Sequence, residues 1–246
     1  MPKSRPGADA APAVTPVAQD YLKLVWNAQE WSDAPVTTTM LAERLGVGAS
    51  TVSETVRRLT DQGLLTHAPY AAIELTDAGR ALAVAMVRRH RLLETFLVEE
   101  LGYGWDEVHD EAEVLEHAVS DRLVDRIDAR LGHPSRDPHG DPIPSADGRP
   151  WVPDGRTLDA LGPGSWVVVR ISDADPELLR YFASVGLAPD AHVEVVERRD
   201  VVGVVAVRVG DRTVELGDAA ARAVWLAPRR ADADAPSGCA AGGANR

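Results

Sequence analysis

The sequence predicts an α+β multidomain protein that is mainly helical as far as residue 131 and folds as a small antiparallel β-barrel after residue 155. Between residues 15 and 131, apolar side chains recur at the spacing of amphipathic helices. From Gly155 onward, valine-rich runs alternate at period two and are separated by glycine turns. These runs are residues 167–169, 193–196 and 201–209. The stretch from His133 to Pro153 is dense in Pro, Gly and Asp, so it predicts a non-helical linker.

Length and composition restrict the class of protein. The 246 residues are enough for two or three small domains. The sequence has no apolar run long enough to cross a membrane, and residues 1–14 lack the apolar segment of a secretory signal. The single cysteine, Cys239, has no intrachain partner, so we expect no disulfide and a cytoplasmic location. We expect residues 1–14 and 229–246 to be a disordered arm and tail.

The charge distribution separates two neighbouring segments. The net charge of −12 argues against indiscriminate nucleic-acid binding. Residues 37–91, however, contain seven Arg against five Asp or Glu, whereas residues 94–131 contain twelve Asp or Glu and only three Arg. This division is typical of a DNA-binding segment joined to a segment that binds cations.

The N-terminal helices predict a DNA-binding motif. Thr15-Pro16 indicates a helix start, because a threonine hydroxyl can cap a helix and proline is tolerated at its first position. Apolar residues then follow one face until about Trp31. A short helix over residues 38–45, a turn at Gly46-Val47-Gly48 and a helix over residues 50–62 come next. Two helices joined by a short glycine turn are typical of a helix-turn-helix.

A wing and three further helices are predicted after this motif. Residues 64–75 indicate two strands joined by a turn at Ala68-Pro69-Tyr70, as in a winged motif. Thr76-Asp77 caps a helix that extends to about Glu100. One helix over residues 105–117 and another ending at Leu131 follow.

The helix over residues 50–62 has a polar face suited to reading DNA. Val52, Val56 and Leu59 are spaced to pack inward, so short polar groups face outward and can approach base edges. Arginines at its end can contact phosphate, which supplies affinity rather than sequence choice. The alternative is a helical hairpin with a solvated polar face. The candidate DNA-binding residues are Thr38, Ser50, Thr51, Ser53, Glu54, Arg57 and Arg58.

A stripe of histidine and carboxylate side chains predicts a divalent cation site. On the helix over residues 105–117, positions i, i+4, i+7 and i+8 share one face, and the preceding helix adds a pair at i and i+4. These residues are His109, Glu113, Glu116 and His117, then His90 and Glu94. Carboxylates on one face repel one another unless a cation lies among them. Imidazole and carboxylate without sulfur suit Mn(II) or Fe(II), and no peptidase motif supports an enzyme. A solvated acidic face and a structural zinc are the alternatives.

Together these motifs resemble the DtxR/MntR family of metal-dependent transcriptional repressors. The resemblance covers residues 17–144, with a weaker match over 155–226. It rests on Ser53-Glu54-Thr55-Val56, Arg89-His90-Arg91-Leu92-Leu93-Glu94, Val108-His109-Asp110-Glu111-Ala112-Glu113, Glu116-His117 and Pro138-His139-Gly140-Asp141-Pro142-Ile143-Pro144.

The resemblance implies a domain order and partners. It implies a winged helix-turn-helix DNA-binding domain (15–76), a helical dimerisation and metal-binding domain (77–144), a linker (145–154) and an SH3-like, FeoA-type domain (155–228). The expected protein is a homodimer that binds double-stranded operator DNA when it is loaded with metal, has no contact with a membrane and catalyses no reaction.

Two metal sites are also implied by the resemblance. The positions that match the first are Asp20, Glu113, Glu116 and His117, and those that match the second are His90, Glu94 and His109, with Asp175 and Glu177 as further ligands. Iron-sensing members have Met and Cys where this chain has Asp20 and Glu113, so we expect Mn(II), with Fe(II) as the alternative. Two-domain manganese members have Glu where this chain has Lys23, so a close-spaced dinuclear centre is not expected.

Overall fold

The computed structural model describes residues 14–68, 71–145 and 154–229. The chain divides into two units, one on each side of the boundary between Val152 and Pro153. Four predicted segments lie wholly or nearly wholly outside the described residues: all but Val14 of the arm, the tip of the wing at residues 69–70, nearly all of the linker over 145–154, and all but Arg229 of the tail.

Within the described residues of the first unit, six helices and two short strands follow one another, nearly all where the sequence predicts them. They are α1 (Pro16–Trp31), α2 (Thr38–Leu45), α3 (Ala49–Asp61), β1 (Leu65–Thr66), β2 (Glu74–Leu75), α4 (Asp77–Leu101), α5 (Val108–Glu116) and α6 (Asp121–Arg130). Threonine caps set three of the starts: the hydroxyls of Thr15, Thr37 and Thr76 accept hydrogen bonds from backbone N–H groups of the first turns of α1, α2 and α4.

The winged helix-turn-helix packs around a buried apolar core. Val52, Val56 and Leu59 of α3 point into this core, as the spacing predicts, together with residues of α1, α2, the β1–β2 hairpin and the start of α4. Gly79 lets α4 approach the hairpin closely, because a Cβ at this position would lie 1.9 Å from the backbone oxygen of Leu64. The core thus leaves the polar face of α3 exposed to solvent.

A second apolar core joins α4, α5 and α6 to the segment that follows them, and here two predictions are wrong. Helix α5 begins at Val108 rather than at residue 105. The carbonyl of Trp105 instead accepts a hydrogen bond from His139 Nε2 (2.6 Å), and the Gly104 N–H donates to the side chain of Glu107. These contacts hold residues 104–107 as a turn.

The predicted linker is also a packed segment over part of its length. Asp137, His139, Asp141 and Ile143 are buried. The Asp137 carboxylate accepts hydrogen bonds from the backbone N–H groups of His139 and Asp141, and Arg91 of α4 donates to the Pro142 carbonyl. These bonds satisfy the backbone without a helix, so the segment can be buried despite its Pro and Gly content.

In the second unit, a six-stranded antiparallel sheet accounts for the predicted β-rich part. Its strands, in the order β3-β8-β4-β5-β6-β7, are β3 (Arg156–Thr157), β8 (Val224–Pro228), β4 (Gly164–Ile171), β5 (His192–Arg199), β6 (Val204–Val209) and β7 (Arg212–Gly217). This sheet and the helical first unit confirm the predicted α+β multidomain class.

Two details of the second unit differ from expectation. Val201 and Val202 form a 3-10 turn before β6 rather than the start of a strand. Two helices, α7 (Pro176–Val185) and the short α8 (Asp218–Arg222), interrupt the strands although the sequence analysis predicts neither. Within the described residues, no helix has the length and hydropathy needed to cross a bilayer.

Candidate metal centre

Glu116, at the end of α5, lies at the middle of the predicted stripe and is fully buried. Its Oε2 lies 2.6 Å from Nδ1 of His90 on α4, and its Oε1 lies 2.6 Å from Nζ of Lys23 on α1. Burial alone would raise the pKa of Glu116, but the hydrogen bond from His90 and the charges of His90 and Lys23 hold it below its ordinary value. This carboxylate therefore joins three helices.

Asp20 of α1 meets the end of α5 on one side of Glu116. Its Oδ1 lies 2.8 Å from His117 Nε2, and donor atoms of Asp20, Glu116 and His117 all lie within 4.8 Å of one another. The Oδ1 atom is buried, and its contact with His117 Nε2 lacks the geometry of a hydrogen bond, so this oxygen has no hydrogen-bond donor among the described residues. Burial also raises the pKa of Asp20. A buried carboxylate oxygen that has no donor is an unusual feature that a cation would satisfy.

Gln19 orients His117, and the sequence analysis missed it. The Gln19 amide oxygen lies 2.9 Å from His117 Nδ1, which leaves Nε2 facing Asp20. A hydrogen bond at one imidazole nitrogen fixes the tautomer that offers the other nitrogen to a metal. Gln19 precedes Asp20 in α1 and carries no charge, so the spacing of titratable groups in the sequence does not reveal it.

On the other side of Glu116, the second predicted set converges. His90 Nε2, Glu94 Oε1 and His109 Nδ1 lie between 3.0 and 3.3 Å from one another. Burial would lower the pKa of His90, but Glu94 and the hydrogen bonds to Glu116 and Glu94 raise it to about 9. Burial would raise the pKa of Glu94, but the charge of His90 and the hydrogen bonds to His109 and His90 hold it well below its ordinary value.

Glu113 and Lys23 lie between these two sets. Lys23 is buried, and its Nζ donates hydrogen bonds to Glu113 Oε1 at 2.5 Å and to Glu116 Oε1 at 2.6 Å. Burial opposes the charge, but the two carboxylates raise the pKa of Lys23 above its ordinary value. Donor atoms of Glu113, His90 and Glu116 lie within 4.8 Å of one another. Glu113 is thus grouped with His90 rather than with the Asp20 set to which the resemblance assigns it.

A third group of donors comes from the packed segment after α6, and the sequence analysis missed it. Donor atoms of Glu94, Asp137 and His139 lie within 4.8 Å of one another, and all three residues are buried. Glu94 Oε2 makes no hydrogen bond to the described residues and lies 3.9 Å from His139 Nδ1. Burial and the charges of Asp141 and Glu94 raise the pKa of Asp137. The motif over residues 138–144 was noticed in the sequence, but its content of Pro and Gly indicated only a linker.

The two further ligands expected for the second site, Asp175 and Glu177, lie in the second unit. Asp175 is the N-cap of α7, and its Oδ1 accepts hydrogen bonds from the N–H groups of Glu177 (2.9 Å) and Leu178 (3.2 Å). Both acidic side chains are exposed. Capping accounts for Asp175, and the metal role of both residues stays a prediction.

All of the predicted DNA-contacting side chains on α3 are solvent-exposed. These are Ser50, Thr51, Ser53, Glu54, Arg57 and Arg58, and Thr38 at the start of α2 is half-buried. Ser53 Oγ donates a hydrogen bond to the Ala49 carbonyl of its own helix. The polar face of α3 is thus exposed to solvent along the helix.

Three family models match the chain in order. "Iron dependent repressor, N-terminal DNA binding domain" matches residues 13–73, "Iron dependent repressor, metal binding and dimerisation domain" matches residues 76–145, and "FeoA domain" matches residues 156–228.

Curated relatives and solved structures are similar over most of the chain. The "Iron-dependent repressor IdeR" of Mycobacterium tuberculosis is 35% identical over 217 residues, which are 83% of this chain and 94% of that protein. The "Diphtheria toxin repressor" of Corynebacterium diphtheriae is 32% identical over 72% of this chain and 83% of its own length. A structure described as "Manganese-dependent transcriptional repressor complex with manganese" has 60% identity and a TM-score of 0.82, covering 85% of this chain and 98% of its own. The manganese regulator SloR has 33% identity and a TM-score of 0.75, covering 85% and 97%.

Proposed function

The chain belongs to the DtxR/MntR family of metal-dependent transcriptional repressors, and we propose that Mn(II) is the ion that activates it. The observation that carries the proposal is the donor set formed by Asp20, Glu116 and His117, which joins the first helix to α5 with oxygen and nitrogen atoms only. Members of this family are regulators and not enzymes.

We assign two ion-binding sets to the chain. Asp20, Glu116 and His117 would hold the activating ion, with Glu113 as the further ligand that the resemblance implies. His90, Glu94 and His109 would hold a second ion, with Asp175 and Glu177 as the further ligands that the resemblance implies. The buried oxygen of Asp20 and the short distances among the second set support this assignment.

Manganese is favoured over iron by the chemistry of the donors. Carboxylate and imidazole hold Mn(II) without the preference for later metals that sulfur ligands give. The solved manganese-dependent repressor is also much more similar to this chain, at 60% identity, than the iron-dependent repressors at 35%. Fe(II) is the second candidate because those iron-dependent relatives match the chain across the same domains.

The metal-dependent step is a shift between two arrangements of the DNA-binding motif. Donor atoms of α1 and α5 would hold a divalent ion together, and the ion would supply the positive charge that these atoms lack. Asp20 lies on α1 next to Tyr21 and Leu22, which are buried in the winged-helix core. Holding Asp20 against α5 therefore fixes the position of the reading helix α3. In a homodimer this would place two copies of α3 in successive major grooves of operator DNA. To convert molecules that mostly cannot bind DNA into molecules that mostly can, the metal must bind the DNA-binding arrangement more tightly than the other arrangement by roughly 5 kcal/mol.

Replacing Asp20 with alanine tests the proposal. A DNA probe is obtained by selecting random duplexes with the manganese-loaded full chain, and binding is followed by fluorescence anisotropy with Mn(II), with Fe(II) under anaerobic conditions, with Zn(II) and with chelator. We expect the wild type to bind the probe with Mn(II) or Fe(II) and to lose this binding with chelator. Asp20→Ala should bind equally weakly with and without metal.

Asp110→Ala is the matched control, because Asp110 is an exposed carboxylate on the same α5 helix and off the stripe. It should respond to metal as the wild type does. Tight binding by the chelator-treated wild type would refute the proposal. A response only to Fe(II) would favour the iron-dependent alternative, and a tightly held zinc with no effect on DNA binding would favour a structural zinc site.

A further inference from the structure

Helix α5 ends without the glycine cap that ends other helices of the first unit. Helices α2 and α4 end at Gly46 and Gly102, which adopt the left-handed conformation and whose N–H groups bond back into the helix. Helix α5 instead ends at His117, which keeps a right-handed helical conformation, and residues 117–120 lead directly into α6. The last carbonyl groups of a helix have no partner inside it, so those of α5 need donors from elsewhere.

Arg89, on the neighbouring helix α4, supplies these donors. Its Nη1 donates hydrogen bonds to the carbonyl oxygens of Glu116 at 3.0 Å and of Val119 at 3.1 Å. Its Nη2 donates to the carboxylate of Asp121, at the start of α6. The planar guanidinium thus joins the end of α5 to the start of α6, and its positive charge lies at the end of α5 where the helix dipole is negative.

Arg89 and His90 are consecutive residues of α4, and both hold Glu116. His90 Nδ1 lies 2.6 Å from the Glu116 carboxylate, whereas Arg89 bonds to the Glu116 backbone carbonyl. The next residue of the chain is His117, whose Nε2 lies 2.8 Å from Asp20. Arg89 therefore fixes the backbone that carries two of the three residues of the Asp20 set, although its own side chain is not a ligand.

We propose that Arg89 is a positioning residue for the activating ion, and that it raises the metal affinity of the Asp20 set by holding the end of α5. If the end of α5 were free to move, ion binding would have to order it, and this cost would weaken the binding. Loss of a side chain that orients ligands typically weakens metal binding by about 10–100-fold. The inference rests on the proposed function and extends it from the ligands to the group that orients them.

The experiment measures Mn(II) binding to the full-length chain by isothermal titration calorimetry in the absence of DNA. The binding step that is missing in Asp20→Ala identifies the activating ion. Arg89→Met should weaken this step by about tenfold and leave any other step unchanged. Arg89→Gln, which keeps an amide donor, should lose less. Arg89→Lys should recover most of the affinity, because an ammonium group can donate to both carbonyls. This graded series tests the proposal even if the methionine variant folds poorly.

DNA binding provides a readout that a loss of stability alone would not change. Arg89→Met should need about tenfold more free Mn(II) than the wild type for half-maximal binding of the selected DNA probe. Once it is saturated with Mn(II), it should bind the probe as tightly as the wild type does.

Arg88→Met is the matched control. Arg88 precedes Arg89 in α4 and also donates to a carbonyl and a carboxylate, but these belong to Pro144 and Asp128 and not to α5. Both methionine variants should lower the thermal midpoint of the metal-free protein. Only Arg89→Met should weaken binding of the activating ion.

The outcomes separate this proposal from the proposed function. If Arg89→Met lowers the thermal midpoint but binds Mn(II) as the wild type does, Arg89 only stabilises the junction of α5 and α6, and the inference is overturned while the function stands. An equal loss of Mn(II) affinity in Arg88→Met would also overturn it, because the loss would not depend on the end of α5. If Asp20→Ala removes no binding step, the proposed activating site is wrong and the inference falls with it.

Discussion

Helices α3 and α5 each carry a polar set that the sequence predicts by spacing, yet the two sets have opposite surroundings. The polar side chains of α3 face solvent, and their apolar neighbours Val52, Val56 and Leu59 hold the helix in its core. On α5, the stripe is turned toward α1 and α4, and Glu116 is fully buried among charged partners. One helix presents its polar groups to a partner, whereas the other uses them inside the protein.

The surroundings of each polar set determine what that set can do. An exposed polar group costs little in the free protein and is available to any surface that matches it. A buried charged group depends on its partners, so its protonation, its ion and the position of its helix are linked. We therefore expect substitutions near α5 to change stability and pH dependence, and substitutions on α3 to change DNA affinity alone.

The largest effect is expected at Arg91, a buried cation on α4 that follows His90 in the chain. Arg91 of α4 pairs with Glu30 at the end of α1 at 2.5 Å and donates to the Pro142 carbonyl at 2.7 Å. Arg91→Met would leave these acceptors buried without their cation and should lower the free energy of unfolding by about 3–5 kcal/mol. Denaturant unfolding of the metal-free protein measures this change.

Arg130→Met is the matched control for this prediction. Arg130 also pairs with a glutamate, Glu100, but on an exposed surface. Its replacement should leave the denaturation midpoint unchanged. Equal denaturation midpoints for Arg91→Met and the wild type would contradict the prediction that the buried charge of Arg91 stabilises the protein.

A smaller effect should come from the titration of His90. The pKa of His90 is raised from 6.5 to about 9 in the folded protein, so the folded state binds its proton more tightly than the unfolded state. The resulting stabilisation is complete below pH 6.5 and is lost as the pH rises through 9. It amounts to on the order of 3 kcal/mol. The free energy of unfolding of the metal-free protein should therefore fall between pH 6.5 and 9.5.

His90→Gln should remove most of this slope, whereas His67→Gln should keep it, because His67 is an exposed histidine in the hairpin. The measurement is a series of denaturant titrations at half-unit steps of pH. A flat profile for the wild type would show that the pKa of His90 is not raised by its carboxylate neighbours.

Short-range signals in the sequence, such as helix caps, account for most of the elements that could be predicted. Thr15 and Thr76 begin their helices where the sequence predicts, because a cap and the N–H group it satisfies are three residues apart. Asp175-Pro176 repeats the signal of Thr15-Pro16, a cap followed by proline at the first helical position. Helix α7 was missed because Asp175 was interpreted through its carboxylate as a ligand.

The contacts that escaped prediction connect distant parts of the chain. Lys23 meets Glu116 across 93 positions, and Arg91 meets Pro142 across 51. Spacing along one helix shows which residues share a face but not which residues of another helix face them. The residues of the α5 stripe could thus be named from the sequence, whereas the cation at its centre and the buried segment beyond α6 required the structure.

The smallest effect is expected on the exposed face of α3. Arg57 is exposed near the end of this helix, and a contact with phosphate would supply affinity without sequence choice. Arg57→Ala should weaken binding of the manganese-loaded protein by up to about tenfold on matched and mismatched duplexes alike, and should reduce the salt slope by about one. Its free energy of unfolding should stay within about 0.5 kcal/mol of the wild type.

The control is Arg126→Ala, which replaces an exposed arginine on α6 and should change neither the DNA affinity nor the salt slope. A loss confined to the matched duplex would mean that Arg57 reads a base, and α3 would then meet DNA in an orientation different from the one that its buried face implies.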